Sequence, residues 1–287
     1  MSDRNRDLPA WSDDAPLILV INDDGIHSPG LIAAISAARQ LGQVVVAAPT
    51  RQQTARGRSM SGKPDDFFHP VELDMEPGPH DVRAWHIDAA PARIAQHALA
   101  ILCANRRPDI VLSGINYGEN LGTDIGASGT LGAAFQAAAE GVPALAVSRK
   151  TGIENHFHHG ELDWSGAIRV AERWTGRMLK LVANGLNSSG ALPFDVLKVD
   201  VPEPCPAGTE ERLTRLCRRR YLAFRFEDVH PETPLEAAET YIRVEPDVLD
   251  RNDDVYAVAV DGVVSVAPLQ LDCSASSLDE VRRVLEI

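Results

Sequence analysis

Apolar residues fall along this chain in short blocks whose rhythm keeps switching between two periods. Leu17 to Ile21 (LILVI) is wholly apolar and rich in β-branched residues, the mark of a strand covered on both faces. Ser28-Pro29 reads as an N-cap followed by proline at the first helical position, and LIAAISAARQ carries helical spacing up to Gly42, a plausible stop. Val44 to Pro49 (VVVAAP) is a second buried strand, so a strand, a loop, a helix and a parallel strand follow one another at once.

The alternation continues. Strands are expected at Trp85 to Ile87, Ile110 to Leu112, Ala144 to Ser148 and Val196 to Val201. Helices are expected at Ala92 to Ala104, Gly129 to Glu140 and Trp164 to Ala183. This order predicts an α/β fold with a Rossmann-like, doubly wound and mostly parallel sheet over residues 17–201. Residues 1–16 are polar, charged and Pro-containing, and read as a disordered leader. After Pro202 the alternation stops. The stretch YAVAVDGVVSVAP, two β-branched runs around Asp261-Gly262, reads as a β-hairpin, and Leu278 to Ile287 reads as a terminal helix. Residues 202–287 thus form an extension with a hairpin and helix too small to bury much apolar surface alone. It is expected to pack on another element or a neighbouring subunit.

Composition narrows the function. A formal net charge of −13 argues against a nucleic-acid polymer as partner, which calls for a basic surface. A small phosphorylated substrate stays open, because one metal ion reverses the charge locally. Cys103, Cys205, Cys217 and Cys273 are scattered, with no C-x-x-C pair, and fit a reducing, cytoplasmic setting. No run approaches the ~20 apolar residues of a membrane span.

In a doubly wound sheet, ligands bind beyond the carboxyl ends of the strands. Three polar, glycine-containing loops fall there: Asn22-Asp23-Asp24-Gly25, the segment Thr50 to Ser59, and Ser113 to Gly122 running on to Ser128-Gly129-Thr130. Asp23 and Asp24, with Thr54 and Asn116 as neutral oxygen donors, would make a hard shell suited to one Mg²⁺ or Mn²⁺. Ser128-Gly129-Thr130 would offer amides and hydroxyls to phosphate oxygens at a helix start. Taken singly, Asp-Asp-Gly is an ordinary turn and Ser-Gly-Thr an ordinary cap. Their meeting on one sheet edge is what points to phosphoryl hydrolysis.

Other candidates are weaker. His156, His158 and His159 match no closed zinc spacing, and Arg218-Arg219-Arg220 reads as a solvated strand edge. Dinucleotide, P-loop and serine-elbow signatures are missing from the sequence.

The motifs NDDGIHSPG, SGINYGENLGTDIGASGT and GVPALAVS, in this order, with TRLCRRRY and VSVAPLQLD behind them, closely resemble the survival protein SurE family of nucleotidases over about Leu17 to Leu271. The resemblance implies a divalent-metal-dependent phosphatase acting on nucleoside 5′-monophosphates, with 3′-monophosphates as further substrates. It also implies a homodimer or homotetramer joined by exchanged C-terminal arms. Asp23, Asp24 and Asn116 match the family's metal ligands, and Asp23 or Asp24 would act as general base or nucleophile. Thr54 stands where the family usually has a Ser ligand. Asn22, Ser113, Asn116, Ser128, Gly129 and Thr130 match positions of the phosphate and substrate pocket. One departure stands out: Ala89-Ala90-Pro91-Ala92-Arg93 replaces the family's Gly-Thr-Pro-x-Asp. It leaves open a weakened, nucleotide-binding or regulatory module, or a phosphatase acting on another phosphorylated metabolite.

Overall fold

The computed structural model describes residues 10–156, 160–184, 192–274 and 277–285. Its centre is a nine-stranded sheet in the order β3 (His69–Val71), β4 (Val82–Ile87), β2 (Gln43–Pro49), β1 (Leu17–Ile21), β5 (Ile110–Tyr117), β6 (Ala144–Arg149), β7 (Val196–Val201), β11 (Val264–Leu269) and β8 (Glu211–Leu213). The parallel body comprises β1, β2, β4, β5, β6 and β7. The short β3 pairs antiparallel with β4.

The wholly apolar strands are explained by helices on both faces. Ile18 and Val20 point to one layer, where α1 (Pro29–Ala38) packs with α4 (Ser165–Ala183). Leu17, Leu19 and Ile21 point to the other, covered by α2 (Pro91–Ile101) and α3 (Gly129–Ala139). The period-two alternation thus feeds two separate cores from one strand. The chain winds outward from β1 through β2 to β4, then returns to β5 on the other side of β1. The carboxyl ends of β1 and β5 therefore flank the crevice where a doubly wound sheet binds its ligand.

Three expectations differ from what the chain does. The leader is packed from Trp11 onward: that indole is buried in the second core, with the Arg83 guanidinium 5.0 Å above its ring. Residues 1–9 lie outside the described residues. Second, the hairpin expected around Asp261-Gly262 is a helix followed by a strand. Asp254 to Ala259 form α5, and Val264 to Leu269 form β11, which runs antiparallel to β7 inside the main sheet. Asp253 stands at the N-cap in extended geometry, and buried Val255, Ala257 and Val258 turn the apolar run into a helix face. The antiparallel ribbon lies elsewhere, where β9 (Leu222–Arg225) pairs with β10 (Glu239–Ile242).

Third, β11 and the short β8 (Glu211–Leu213) complete the central sheet, so the core runs on past Val201 instead of stopping there. The extension is anchored by a cluster of Leu121, Cys217, Tyr221, Val255 and Val258. The terminal helix α6 spans Leu278–Leu285. Among the described residues, no helix is long and apolar enough to cross a membrane.

Candidate active site

β1 ends in Asn22, Asp23 and Asp24, all buried. Each carboxylate is fixed by a neighbouring element. Thr130, in the first turn of α3, donates its hydroxyl to Asp23 Oδ1 at 2.6 Å. The Tyr117 amide, at the end of β5, donates to Asp24 Oδ2 at 3.1 Å, and Gln52 Nε2 lies 3.4 Å from Asp24 Oδ1. Burial raises the Asp23 pKa, opposed by the Thr130 hydroxyl and by the Thr130 and Gly129 amides. Burial, reinforced by the Asp23 charge, lifts Asp24 well above the usual carboxylate range. Among the described residues, no Lys, Arg or His side chain forms an ion pair with either carboxylate.

The start of α3 comes unusually close to this pair. A Cβ added at Gly129 would stand 2.6 Å from Asp23 Oδ2, so only glycine lets the helix end face the carboxylate. Ser128 is the N-cap, its Oγ accepting from the Leu131 amide at 3.1 Å, and its hydroxyl proton remains able to donate. On β5 the register slips between Gly114 and Asn116, a bulge of the kind that re-aims a side chain.

A cavity of about 290 Å³ opens here, lined by Asp23, Thr54, Asn116 and Ser128 among the expected residues. Asn22, Asp24, Ser113, Gly129 and Thr130 are not among its lining residues. Asn22, Ser113 and Thr130 are fully buried: Asn22 Nδ2 donates to the Gly25 carbonyl at 3.0 Å, and Ser113 Oγ to the Thr130 carbonyl at 2.8 Å. These three position the loop and helix that carry the exposed groups. Sequence reasoning missed Glu119 and Tyr221, which also line the cavity, and set His156 aside as part of a weak metal motif. Glu119 is buried; its carboxylate accepts from the Tyr221 hydroxyl and from the Thr151 amide. Burial raises the Glu119 pKa against those bonds. Only the length of the loop Ser113 to Gly122 hinted at so many polar groups, since nothing in its residue pattern reports burial. His158 and His159 lie outside the described residues. Arg218 to Arg220 are exposed as expected, but Arg220 pairs with Gly122 in an isolated bridge, lies above the Phe224 ring and lines the cavity as well.

Residues 18–223 match the family described as survival protein SurE. The chain belongs to the SurE family. It is 33% identical to the 5′-nucleotidase SurE of Methanocella arvoryzae, over 93% of this chain and 97% of that relative. It is 35% identical to the 5′-nucleotidase SurE of Thermococcus kodakarensis, over 93% and 98%. The crystal structure of the SurE protein from Aquifex aeolicus superposes with a TM-score of 0.69 at 26% identity, covering 95% of this chain and all of that one. The unusual Arg93 of this SurE chain donates to the Met60 carbonyl at 3.0 Å and is not among the cavity-lining residues. Ala90, at the N-cap of α2, has no side chain to cap with.

Proposed function

We propose that this SurE family member hydrolyses the phosphate ester of nucleoside 5′-monophosphates, and of 3′-monophosphates, with the help of one divalent cation, Mg²⁺ or Mn²⁺. The observation that carries the reading is the buried, adjacent pair Asp23–Asp24 at the sheet's ligand crevice, which forms no ion pair with a basic side chain among the described residues. Two desolvated carboxylates side by side are costly unless a cation joins them. Thr54 and Asn116 line the same cavity and supply neutral oxygens, so the donor set is the hard, all-oxygen kind that suits Mg²⁺ or Mn²⁺. A cation held there would polarise the phosphoryl group and acidify water.

The protein's own groups supply the rest. The Ser128 hydroxyl, beside the amide-rich start of α3, hydrogen-bonds phosphate oxygens and steadies the charge that grows on them. Thr130 and Tyr117 hold the two carboxylates in fixed orientations, so no reorganisation is needed during the reaction. The segment Tyr221 to Phe224 gives the cavity an apolar face against which the nucleoside lies. Because Arg93 is turned toward Met60, the polarity change at that motif falls outside the cavity, which favours an active enzyme over a binding module.

Assembly enters the same reading. Phe224, Tyr241 and Ile242 of the β9–β10 ribbon, with Phe226 just beyond β9, are 37–50% exposed, far above core values. A two-stranded ribbon with such a surface calls for a cover, and a second copy exchanging this arm, as a dimer or tetramer, would provide it. The deciding experiment is phosphate release from AMP, GMP and p-nitrophenyl phosphate, with and without Mn²⁺. Metal-dependent release from the nucleotides supports the reading; tight nucleotide binding without release overturns it.

A further inference from the structure

His156 closes the short turn Ile153–His156 and is only 9% exposed, yet among the described residues its Nε2 has no hydrogen-bond partner. Buried polar atoms are nearly always paired, so an orphan on a cavity wall marks a place where a ligand atom is expected. The imidazole lines the same cavity as Asp23, Thr54 and Ser128. Three contacts place this residue. Its carbonyl accepts from Gln52 Nε2 at 3.1 Å, the amide that also approaches Asp24. Its ring lies against Gly118, where an added Cβ would come within 2.6 Å of Nε2. Nε2 stands 4.0 Å from Glu119 Oε2, and the Glu119 carboxylate in turn holds the Tyr221 hydroxyl. The imidazole thus shares a cavity wall with Asp23 on the one hand and with Tyr221, Leu222 and Phe224 on the other. The junction of these two parts is where an ester oxygen joins a phosphate to its organic group.

We propose that His156 is a catalytic residue whose Nε2–H donates a hydrogen bond to the leaving-group oxygen of the phosphate ester. The inference rests on the phosphatase reading above and goes beyond it. Burial lowers the His156 pKa, so the ring is neutral near pH 7 and carries one proton, which the proposal places on Nε2, the nitrogen with no partner among the described residues. A neutral imidazole is a competent donor to developing negative charge. When a water oxygen bonds to phosphorus and the ester P–O bond breaks, the bonding pair leaves on the ester oxygen. A proton from the attacking water balances the alcohol product, and His156 keeps its own.

The test is leaving-group dependence, measured on the full chain with Mn²⁺ for wild type, His156→Gln and His156→Asn, each normalised to folded protein by circular dichroism. For AMP, whose alkoxide leaving group needs help, kcat/KM is expected to fall about 100-fold. For p-nitrophenyl phosphate, whose phenolate needs little, the expected fall is less than about 5-fold on the same grounds. Equal losses for both esters, no loss for either, or variants that do not fold would make His156 structural and overturn the proposal. A wild type inactive on both esters would instead sink the phosphatase reading itself.

Discussion

Lys198 on β7 offers the sharpest quantitative test of how this fold handles buried charge. Its side chain is fully buried, and its ammonium touches the carboxylates of Asp200 and Asp254, with Asp254 Oδ2 at 3.0 Å and the Asn120 carbonyl at 2.9 Å. Asp200 also receives the Asn120 amide at 2.8 Å, and Asp254 receives the amides of Gly122 and Cys217 at 3.1 and 2.9 Å. One cation thus ties β7 to the loop below Asn116 and to the C-terminal segment. Lys198→Met preserves the length of the side chain but leaves two carboxylates facing each other. At roughly 5 Å and an effective dielectric near 20, their repulsion is about 3 kcal/mol. Breaking a buried ion pair typically costs about 3–5 kcal/mol, which agrees. The melting temperature should fall by about 6–20 °C, using about 2–4 °C per kcal/mol for a chain near this size.

The pH dependence separates this account from a simple packing defect. Burial pushes Asp200 up to about 6 in spite of Lys198. For Lys198, burial works against the ammonium, yet Asp200 and Asp254 outweigh it and keep its pKa above the ordinary value. An aspartate whose folded pKa exceeds its unfolded value near 4 destabilises the fold once ionised; the penalty is absent below about pH 4 and complete above the folded value. Without Lys198, ionisation of Asp200 becomes harder still. The stability gap between Lys198→Met and wild type should therefore widen as pH rises from 5 to 8 in urea titrations. A gap below 1 kcal/mol at pH 8, or one constant across that range, would falsify the claim that Lys198 neutralises the pair. Adding Asp254→Asn to the variant should recover about 1–3 kcal/mol, the coupling expected of groups in contact.

Asp23→Asn should lower Mn²⁺-dependent nucleotide hydrolysis at least about 100-fold. It should also abolish the rise in melting temperature that saturating Mn²⁺ gives the wild type, where about 2.7 kcal/mol is expected at 100 times Kd; scanning fluorimetry reads the second effect without turnover. Thr130→Val removes the 2.6 Å bond to Asp23 Oδ1 at nearly constant shape. The expected cost is about 1.5–3 kcal/mol in urea, together with weaker Mn²⁺ binding by calorimetry. Ala90→Ser places a hydroxyl at the empty N-cap of α2, whose backbone already has extended cap geometry. The variant should be about 1 kcal/mol more stable by the same urea assay.

The doubly wound body was legible because each strand is apolar on both faces and each helix shows its own period, signals that need only local sequence. The edge at Ile110 to Leu112 fell short because β5 continues through Ser113 to Tyr117, buried but partly polar. Polar strand residues are read as loop unless the tertiary partners that satisfy them are known. The hairpin misreading has the same root. β-branched alternation in YAVAV suits a strand, and only the docking of Val255 and Val258 against Leu121 and Tyr221 turns it into a helix. At the candidate site, Asp23, Asp24, Thr54, Asn116 and Ser128 were legible as candidates because their residue types announce chemistry, and four of them, all but Asp24, line one cavity. Glu119, Tyr221 and the lone Nε2 of His156 were hidden, since their meaning is a distance across the fold.

The same molecule holds two buried carboxylate pairs, and comparing them argues for what each is for. Asp200 and Asp254 share Lys198, and every oxygen described there meets an amide or an ammonium from the chain itself. Nothing is left for a ligand to satisfy. Asp23 and Asp24 are also buried, but their bonds come from the Thr130 hydroxyl, backbone amides and a distant carboxamide, all neutral. Nearby, the orphaned Asn22 Oδ1 and His156 Nε2 leave further polar capacity unused. A fold able to place a lysine against one pair was under no geometric bar to doing so at the other. The pair that meets no basic partner among the described residues therefore sits where the cavity opens, which is where the proposed cation would complement it.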